Sequence, residues 1–161
     1  MLAVLGERTF RDTYAGFNRP EDMDAYVAGA FGERRQAAEL ADPARTTLLA
    51  EIDDVAIGYT QLRTGPAPDC VGELDAIEIL RFYVDRPWQG RGVAQALMAA
   101  AVNEARARAT GVMWLSVWAQ NQRAIAFYRK SGFDSVGARD FLLGADRQRD
   151  WVMARATADP L

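Results

Sequence analysis

The stretch from Asp75 to Trp118 limits the possible folds more than any other. "DAIEILRFYV" (75–84) is a near-continuous apolar run rich in β-branched and aromatic residues, as in a strand buried on both faces. It stops at Asp85, and "RPWQGRG" leads into an alanine-rich helical pattern from Gly92 to Ala109. "VMWLSVW" (112–118) is a second buried strand. Two buried strands joined through a helix pair in parallel, and that crossover is right-handed.

The flanking segments supply the rest of a sheet and its cover. Leu2, Leu5, Phe10 and Tyr14 share one face of a helix over Leu2–Tyr14. Asn18, three residues before Glu21 and followed by Pro20, reads as a capping box for a helix carrying Met23, Tyr26, Val27 and Phe31. A short helix covers Glu33–Leu40. "TTLLAEI" and "VAIGYTQLR" around Asp53-Asp54 form a hairpin. "NQRAIAFYRKSGF" (121–133) is a short helix ended by Gly132, and two strands follow within 133–141 and 150–155. The order predicts an α/β (α+β) fold with a mixed sheet flanked by helices. No repeat or linker divides the 161 residues, so one domain over 1–161 is expected.

The chain has no histidine, which excludes Ser-His-Asp and Cys-His catalysis and imidazole metal sites. One cysteine, Cys70, removes thiolate zinc sites and internal disulfides, so no metal is expected. A net charge of −3 argues against nucleic acid or an anionic membrane as partner. No apolar run spans a bilayer, and "MLAVLGERTF" lacks the pattern of a secretion signal, so the expected location is the cytoplasm.

Glycines between a strand and a helix let main-chain N–H groups converge where the helix dipole adds positive charge. Such a loop is either a tight turn or a phosphate cradle. Gly90 and Gly92 lack the P-loop spacing. They also miss the third glycine of a dinucleotide fingerprint, since Gln95 stands there. What remains is Gln89-x-x-Gly92-x-Ala94.

That motif, after a strand ending "YVD-x-P", resembles the acyl-CoA loop of the GNAT acetyltransferase superfamily. "NQRAIAFYRKSGF" resembles the same superfamily's Asn…Ala-x-x-Phe-Tyr…Gly-Phe helix. Together they cover about Glu78 to Phe133. "TFRDTYAGFNRPEDMDAYVAGAF" (9–31) and "GADRQRDWVMAR" (144–155) extend the similarity to PaiA-type spermidine/spermine N-acetyltransferases. The resemblance implies a GNAT fold with about six strands, acetyl-CoA as cosubstrate and a small-molecule amine, such as a polyamine, as acceptor. A peptide α-amine is the alternative acceptor, and a non-catalytic acyl-CoA sensor the alternative function. The family begins with a strand before its first helix, and this sequence starts almost in that helix. Either the encoded start lies upstream or that strand is missing, which would leave an edge for a second copy to cover as a homodimer.

The resemblance implies roles residue by residue. Gln89, Gly90, Arg91, Gly92, Val93 and Ala94 would hold the pyrophosphate, with Gly92 required for close backbone approach. The backbone of Phe82, Tyr83 and Val84 would serve the thioester and pantetheine, with the N–H near Tyr83 facing the thioester oxygen. Asn121 would contact pantetheine, or cap its helix. Tyr128 would donate a proton to the leaving thiolate. Phe127 and Tyr128 lie about 100° apart on a helix, so one faces the core and the other the cleft. Glu78 is the first candidate base, against a structural pair with Arg81 or another cation, and Asp75 and Asp150 follow it. Phe10, Tyr14, Tyr26 and Phe31 could line the acceptor site, with Asp12, Glu33 and Asp150 drawing its cations, though aromatics at these spacings are more often core. Arg123 and Lys130 could reach the 3′-phosphate, or be solvated surface charges. Cys70 lies away from both motifs, so no covalent acetyl-enzyme is expected.

Overall fold

The computed structural model describes residues 1–72, 75–143 and 146–158. Three helices come first: α1 (Leu2–Tyr14), α2 (Pro20–Ala30) and α3 (Glu33–Ala41). The hairpin β1 (Arg45–Ile52) and β2 (Val55–Thr64) follows, then β3 (Ala76–Val84), α4 (Val93–Ala107) and β4 (Val112–Trp118). The remainder is α5 (Gln122–Lys130), β5 (Asp134–Leu143) and β6 (Asp146–Ala156).

The six strands form one mixed sheet in the order β1-β2-β3-β4-β6-β5. β3 and β4 are the parallel pair, joined through α4, and every other pairing is antiparallel. Asp53 and Asp54 both have positive φ, 50° and 62°, which the tight β1–β2 turn requires. β1 is an edge strand, and among the described residues no strand precedes α1.

Helices cover both faces. Leu97, Met98, Ala101, Val102 and Ala105 recur at helical spacing on α4 and bury against Ile77, Ile79, Met113 and Leu115 of the sheet. Ile125 and Tyr128 of α5 join that core. On the opposite face, Phe10 of α1 packs with Met23 and Val27 of α2, with Phe31 and with Leu143 of β5.

Asn18 makes no cap for α2, whose N-cap is Arg19 in extended conformation. A 3-10 turn (Ala15–Phe17) prolongs α1 and carries Asn18 back over its end. The Asn18 side-chain amide donates to the Tyr14 carbonyl at 2.8 Å, closing α1 rather than opening α2. Pro20 in the first turn and the acidic pair Glu21 and Asp22 favour the start of α2 instead.

Candidate active site

Pairing between β3 and β4 covers only Ala76–Ile79 against Val112–Leu115, and beyond it the strands part. A bulge accompanies the parting. Along β2, Gln61 faces Arg81 while Leu62 faces Ile79, so Leu80 is the extra residue. The opening becomes a cleft of about 340 Å³. Residues 79–84 of β3 form one wall, and Ser116 and Val117 of β4 with Asn121, Phe127 and Tyr128 form the other.

Hydrogen-bond alternation shows which β3 groups face this cleft. The Asp85 N–H donates to the Ile57 carbonyl in the β2–β3 register, so Tyr83 and Arg81 also turn their N–H groups toward β2. Phe82 and Val84 turn theirs toward the cleft. Tyr83's own amide is therefore a ladder amide, and the N–H groups near Tyr83 that face the cleft are those of Phe82 and Val84. The Val84 carbonyl accepts from the Gln89 side chain at 2.9 Å, which leaves the Phe82 N–H and C=O and the Val84 N–H open.

The glycine loop closes one end of the cleft. Gly90 (φ +77°) and Gly92 (φ +85°) both adopt left-handed backbone. A Cβ on either would meet no protein atom within 4 Å, so within the protein itself it is the dihedral angle that calls for glycine. Ala96 is the first α4 residue whose N–H bonds back, to the Gly92 carbonyl at 3.0 Å. The six consecutive N–H groups from Gly90 through Gln95 find no protein acceptor among the described residues. Four orphan N–H groups belong to any helix start, and two more come from the loop. With the helix dipole behind them, these donors fit the diphosphate of coenzyme A. Gln89 acts as a brace: besides holding Val84, it accepts from Arg123 at 2.7 Å, tying the loop to α5. Arg91 is exposed and its guanidinium lies 5.4 Å from the Trp88 ring centre.

Asn121 caps α5, its side-chain oxygen accepting from the Ala124 N–H at 3.1 Å, and it lines the cleft as well. Phe127 and Tyr128 both line it, rather than dividing between core and cleft. The Tyr128 ring sits among Phe82, Phe127 and Phe133 at 6.1, 5.6 and 5.9 Å. Burial holds its phenol well above the ordinary value, and Tyr14 adds to the effect.

A smaller polar pocket of about 100 Å³ opens beside the cleft and shares Tyr14, Leu80, Tyr83 and Ser116 with it. Phe10, Tyr14 and Tyr26 line it while also packing in the α1–α2 core, whereas Phe31 is core and Asp12 and Glu33 are exposed and outside it. Asp150, also in its lining, is 7% exposed, and its Oδ1 has no hydrogen-bond partner among the described residues. The Ser116 Oγ is buried and unpartnered too. Burial raises the Asp150 carboxyl to about 6, against the opposing pull of Arg139, its neighbour across the β5–β6 ladder. The Tyr14 phenol is pushed up to about 12 by burial and then by Asp150, while hydrogen bonds with Asn121 and Tyr83 act the other way.

Glu78 also borders this pocket, but it is engaged. It pairs with Arg63 at 2.6 Å, its partner in the β2–β3 register, and with Arg139 at 3.7 Å. Arg81 is not its partner and pairs with Glu39 of α3. Asp75 is exposed at the far end of β3. A wider hollow of about 690 Å³ beside Gly65, Asp69 and Arg108 also lies at that end and touches neither motif. Cys70 is exposed on a 3-10 turn and packs against Gly137, away from the cleft. Among the described residues no acidic, histidine or cysteine cluster could hold a metal ion, and no helix is long and apolar enough to cross a membrane.

Sequence reasoning missed the Gln89–Arg123 brace and the orphan Ser116. Asp150, a candidate from the sequence, alternates on β6 with the buried Val152 and Ala154, which puts its carboxylate on an inward face.

Comparison with known proteins agrees with this geometry. The profile of the acetyltransferase (GNAT) family matches residues 8–133. An uncharacterised N-acetyltransferase of Mycobacterium tuberculosis is 34% identical over 154 residues, covering 96% of this chain and 94% of the relative. An uncharacterised N-acetyltransferase of Lactobacillus delbrueckii is 30% identical over 153 residues, covering 95% and 88%. The crystal structure of the PaiA N-acetyltransferase from Thermoplasma acidophilum in complex with coenzyme A shares the fold, with TM-score 0.76, 19% identity and coverage of 96% and 90%. The chain belongs to the GNAT acetyltransferase family, whose enzymes take their acetyl group from acetyl-CoA.

Proposed function

We propose that residues 1–161 work as a single domain that transfers acetyl from acetyl-CoA to the primary amine of a small molecule, by direct attack in a ternary complex. The observation that carries this reading is the run of six unpartnered N–H groups, Gly90–Gln95, at the mouth of a cleft whose other end holds Tyr128 and the unpaired edge of β3. In this reading the diphosphate lies on the loop amides, and pantetheine runs along β3 between Asn121 and the Phe82 and Val84 backbone. The acetyl group reaches the point where cleft and polar pocket meet.

The acceptor enters from the pocket as an ammonium beside Asp150. At neutral pH a carboxyl raised to about 6 is mostly ionised, yet it is a stronger base than an ordinary aspartate. It takes one proton, directly or through water. The neutral nitrogen attacks the thioester carbonyl carbon, forming the C–N bond, and the oxygen takes up negative charge within reach of the open β3 amides. Collapse breaks the C–S bond. The nitrogen loses its second proton, and the thiolate is protonated from Tyr128, which regains a proton from solvent. The sum is acetyl-CoA plus ammonium giving amide, free thiol and one proton. Tyr128 is a weaker acid than an exposed phenol, but a thiolate leaving into the same dry cleft has its own proton affinity raised by burial.

Asp150 takes the role of base in place of Glu78, because Glu78 is held by two arginines and Asp150 faces the pocket with an open oxygen. The PaiA resemblance suggests a polyamine acceptor, and the charges near the pocket argue for a different amine. The test follows free thiol and acetylated product over a panel of primary amines. Stoichiometric release of both, with intersecting initial-rate lines in double-reciprocal plots, is expected. Coenzyme A binding without transfer to any amine would instead identify an acyl-CoA sensor.

A further inference from the structure

The polar pocket shares Tyr26, Glu78, Leu80, Arg139 and Phe141 with an adjoining hollow of about 460 Å³ between α2, α3 and the sheet. Its charged lining is five arginines (35, 45, 63, 81 and 139) against two glutamates (39 and 78), an excess of three positive charges. The whole chain carries −3, so this concentration runs against the overall balance. The arginines come from five elements: α3, β1, β2, β3 and β5.

Two of the five are committed to the fold. The Arg45 and Arg81 side chains are only 15% and 11% exposed, and both pair with the buried Glu39. Arg81 also donates to the Ala30 carbonyl and to the Gln61 side chain. The other three line the hollow with donors to spare. The Arg35, Arg63 and Arg139 side chains are 57%, 42% and 41% exposed. Arg35 and Arg63 each hold one carboxylate, and Arg139 reaches Glu78 only at 3.7 Å, beyond hydrogen-bond length. A guanidinium has five N–H donors, so each keeps a free edge for a bidentate anion.

We propose that this arginine-lined hollow binds an anionic group on the acceptor, so that the substrate is a primary amine carrying a carboxylate or a phosphate. The proposal rests on the acetyltransferase reading above. The ammonium meets Asp150, the anion meets Arg35, Arg63 and Arg139, and the aromatic wall of Phe10, Tyr14 and Tyr26 spans the atoms between. A polyamine, positive at both ends, would place one end among like charges.

The test pairs each anionic amine with its neutral-tailed counterpart: γ-aminobutyrate with butylamine, O-phosphoethanolamine with ethanolamine, and C-terminally amidated Ala-Glu-Glu with amidated Ala-Gln-Gln. Spermidine is the cationic control. Acetyl transfer is followed by thiol release, and binding to the coenzyme A-saturated protein by calorimetry. The expected result is a preference of roughly tenfold or more for the anionic member of at least one pair, expressed in KM, and for spermidine to rank last. Whichever pair shows it identifies the anion as amino-acid carboxylate, phosphate or acidic peptide side chain. In Arg139→Gln and Arg35→Gln the ratio should fall toward one, with thermal melts confirming that both variants fold. Equal or reversed preference in every pair, with transfer observed, overturns the proposal and leaves the acetyltransferase reading standing. Arginine-dependent binding of an anionic amine without any transfer upholds the hollow and overturns the acetyltransferase reading. Absence of both binding and transfer overturns the two together.

Discussion

Replacing Asp150 by Asn should make this protein more stable and far less active, and the two effects have the same cause. Burial raises the carboxyl from 3.8 to about 6. At about 1.4 kcal/mol per tenfold change in proton affinity, holding the ionised form in place costs on the order of 3 kcal/mol. The folded state binds the Asp150 proton more tightly than the unfolded chain does. The associated stability is therefore fully present below pH 3.8 and is lost as pH rises through about 6. Asn keeps the shape and removes the charge. At about pH 7.5 the variant should gain roughly 2–3 kcal/mol, a rise in Tm on the order of 5–10 °C for a chain of this size. The gain should shrink toward zero near pH 4. Loss of the base should lower kcat by about 10²–10⁴-fold. Urea melts at a series of pH values, alongside thiol-release kinetics, read both effects. A variant that is less stable at about pH 7.5, or equally shifted at every pH, would refute the reasoning, because Asp150 would then be making a stabilising contact.

Three further substitutions separate the remaining roles. Tyr128→Phe should lower kcat roughly 10–100-fold while calorimetry shows coenzyme A affinity unchanged; an equal loss of affinity would make the residue part of the grip instead. Gly92→Ala must hold alanine at a φ of +85°, so stability should fall by about 1–2 kcal/mol in urea melts and coenzyme A affinity by tenfold or so. Glu78→Gln takes the carboxylate from Arg63 and Arg139, both half-exposed, so it should change stability by only about 1 kcal/mol and leave kcat nearly unchanged. A kcat loss as large as that of Asp150→Asn would return the base to Glu78.

Much of the fold was legible because its signals are local. The apolar run ending at Asp85, the glycines and the alanine period between Gly92 and Ala109 each carry their own periodicity or backbone demand, and β3, α4 and β4 appear where those signals place them. The β1–β2 hairpin was legible for the same reason, through Asp53-Asp54. The Asn18 cap failed because a 3-10 turn shifted a good local signal onto the wrong helix. The site was legible where a motif sits on one element, as in the Gln89–Ala94 loop. It was not where partners come from several. Glu78 meets Arg63 through the β2–β3 register, and Arg81 meets Glu39 across to α3, which no spacing in the chain reveals. The bulge at Leu80 decides which β3 amides open toward the cleft, and one inserted residue has no mark in the hydrophobic pattern.

The most direct measurement is the amide spectrum of the uniformly 15N-labelled protein titrated with coenzyme A and, separately, with its dephosphorylated pantetheine fragment. The coenzyme should shift the six resonances of Gly90–Gln95 strongly downfield, and pantetheine should leave them in place while moving those of Phe82 and Val84. If the loop amides do not respond to the diphosphate-bearing ligand, the turn is a structural connection only and the coenzyme binds elsewhere or not at all.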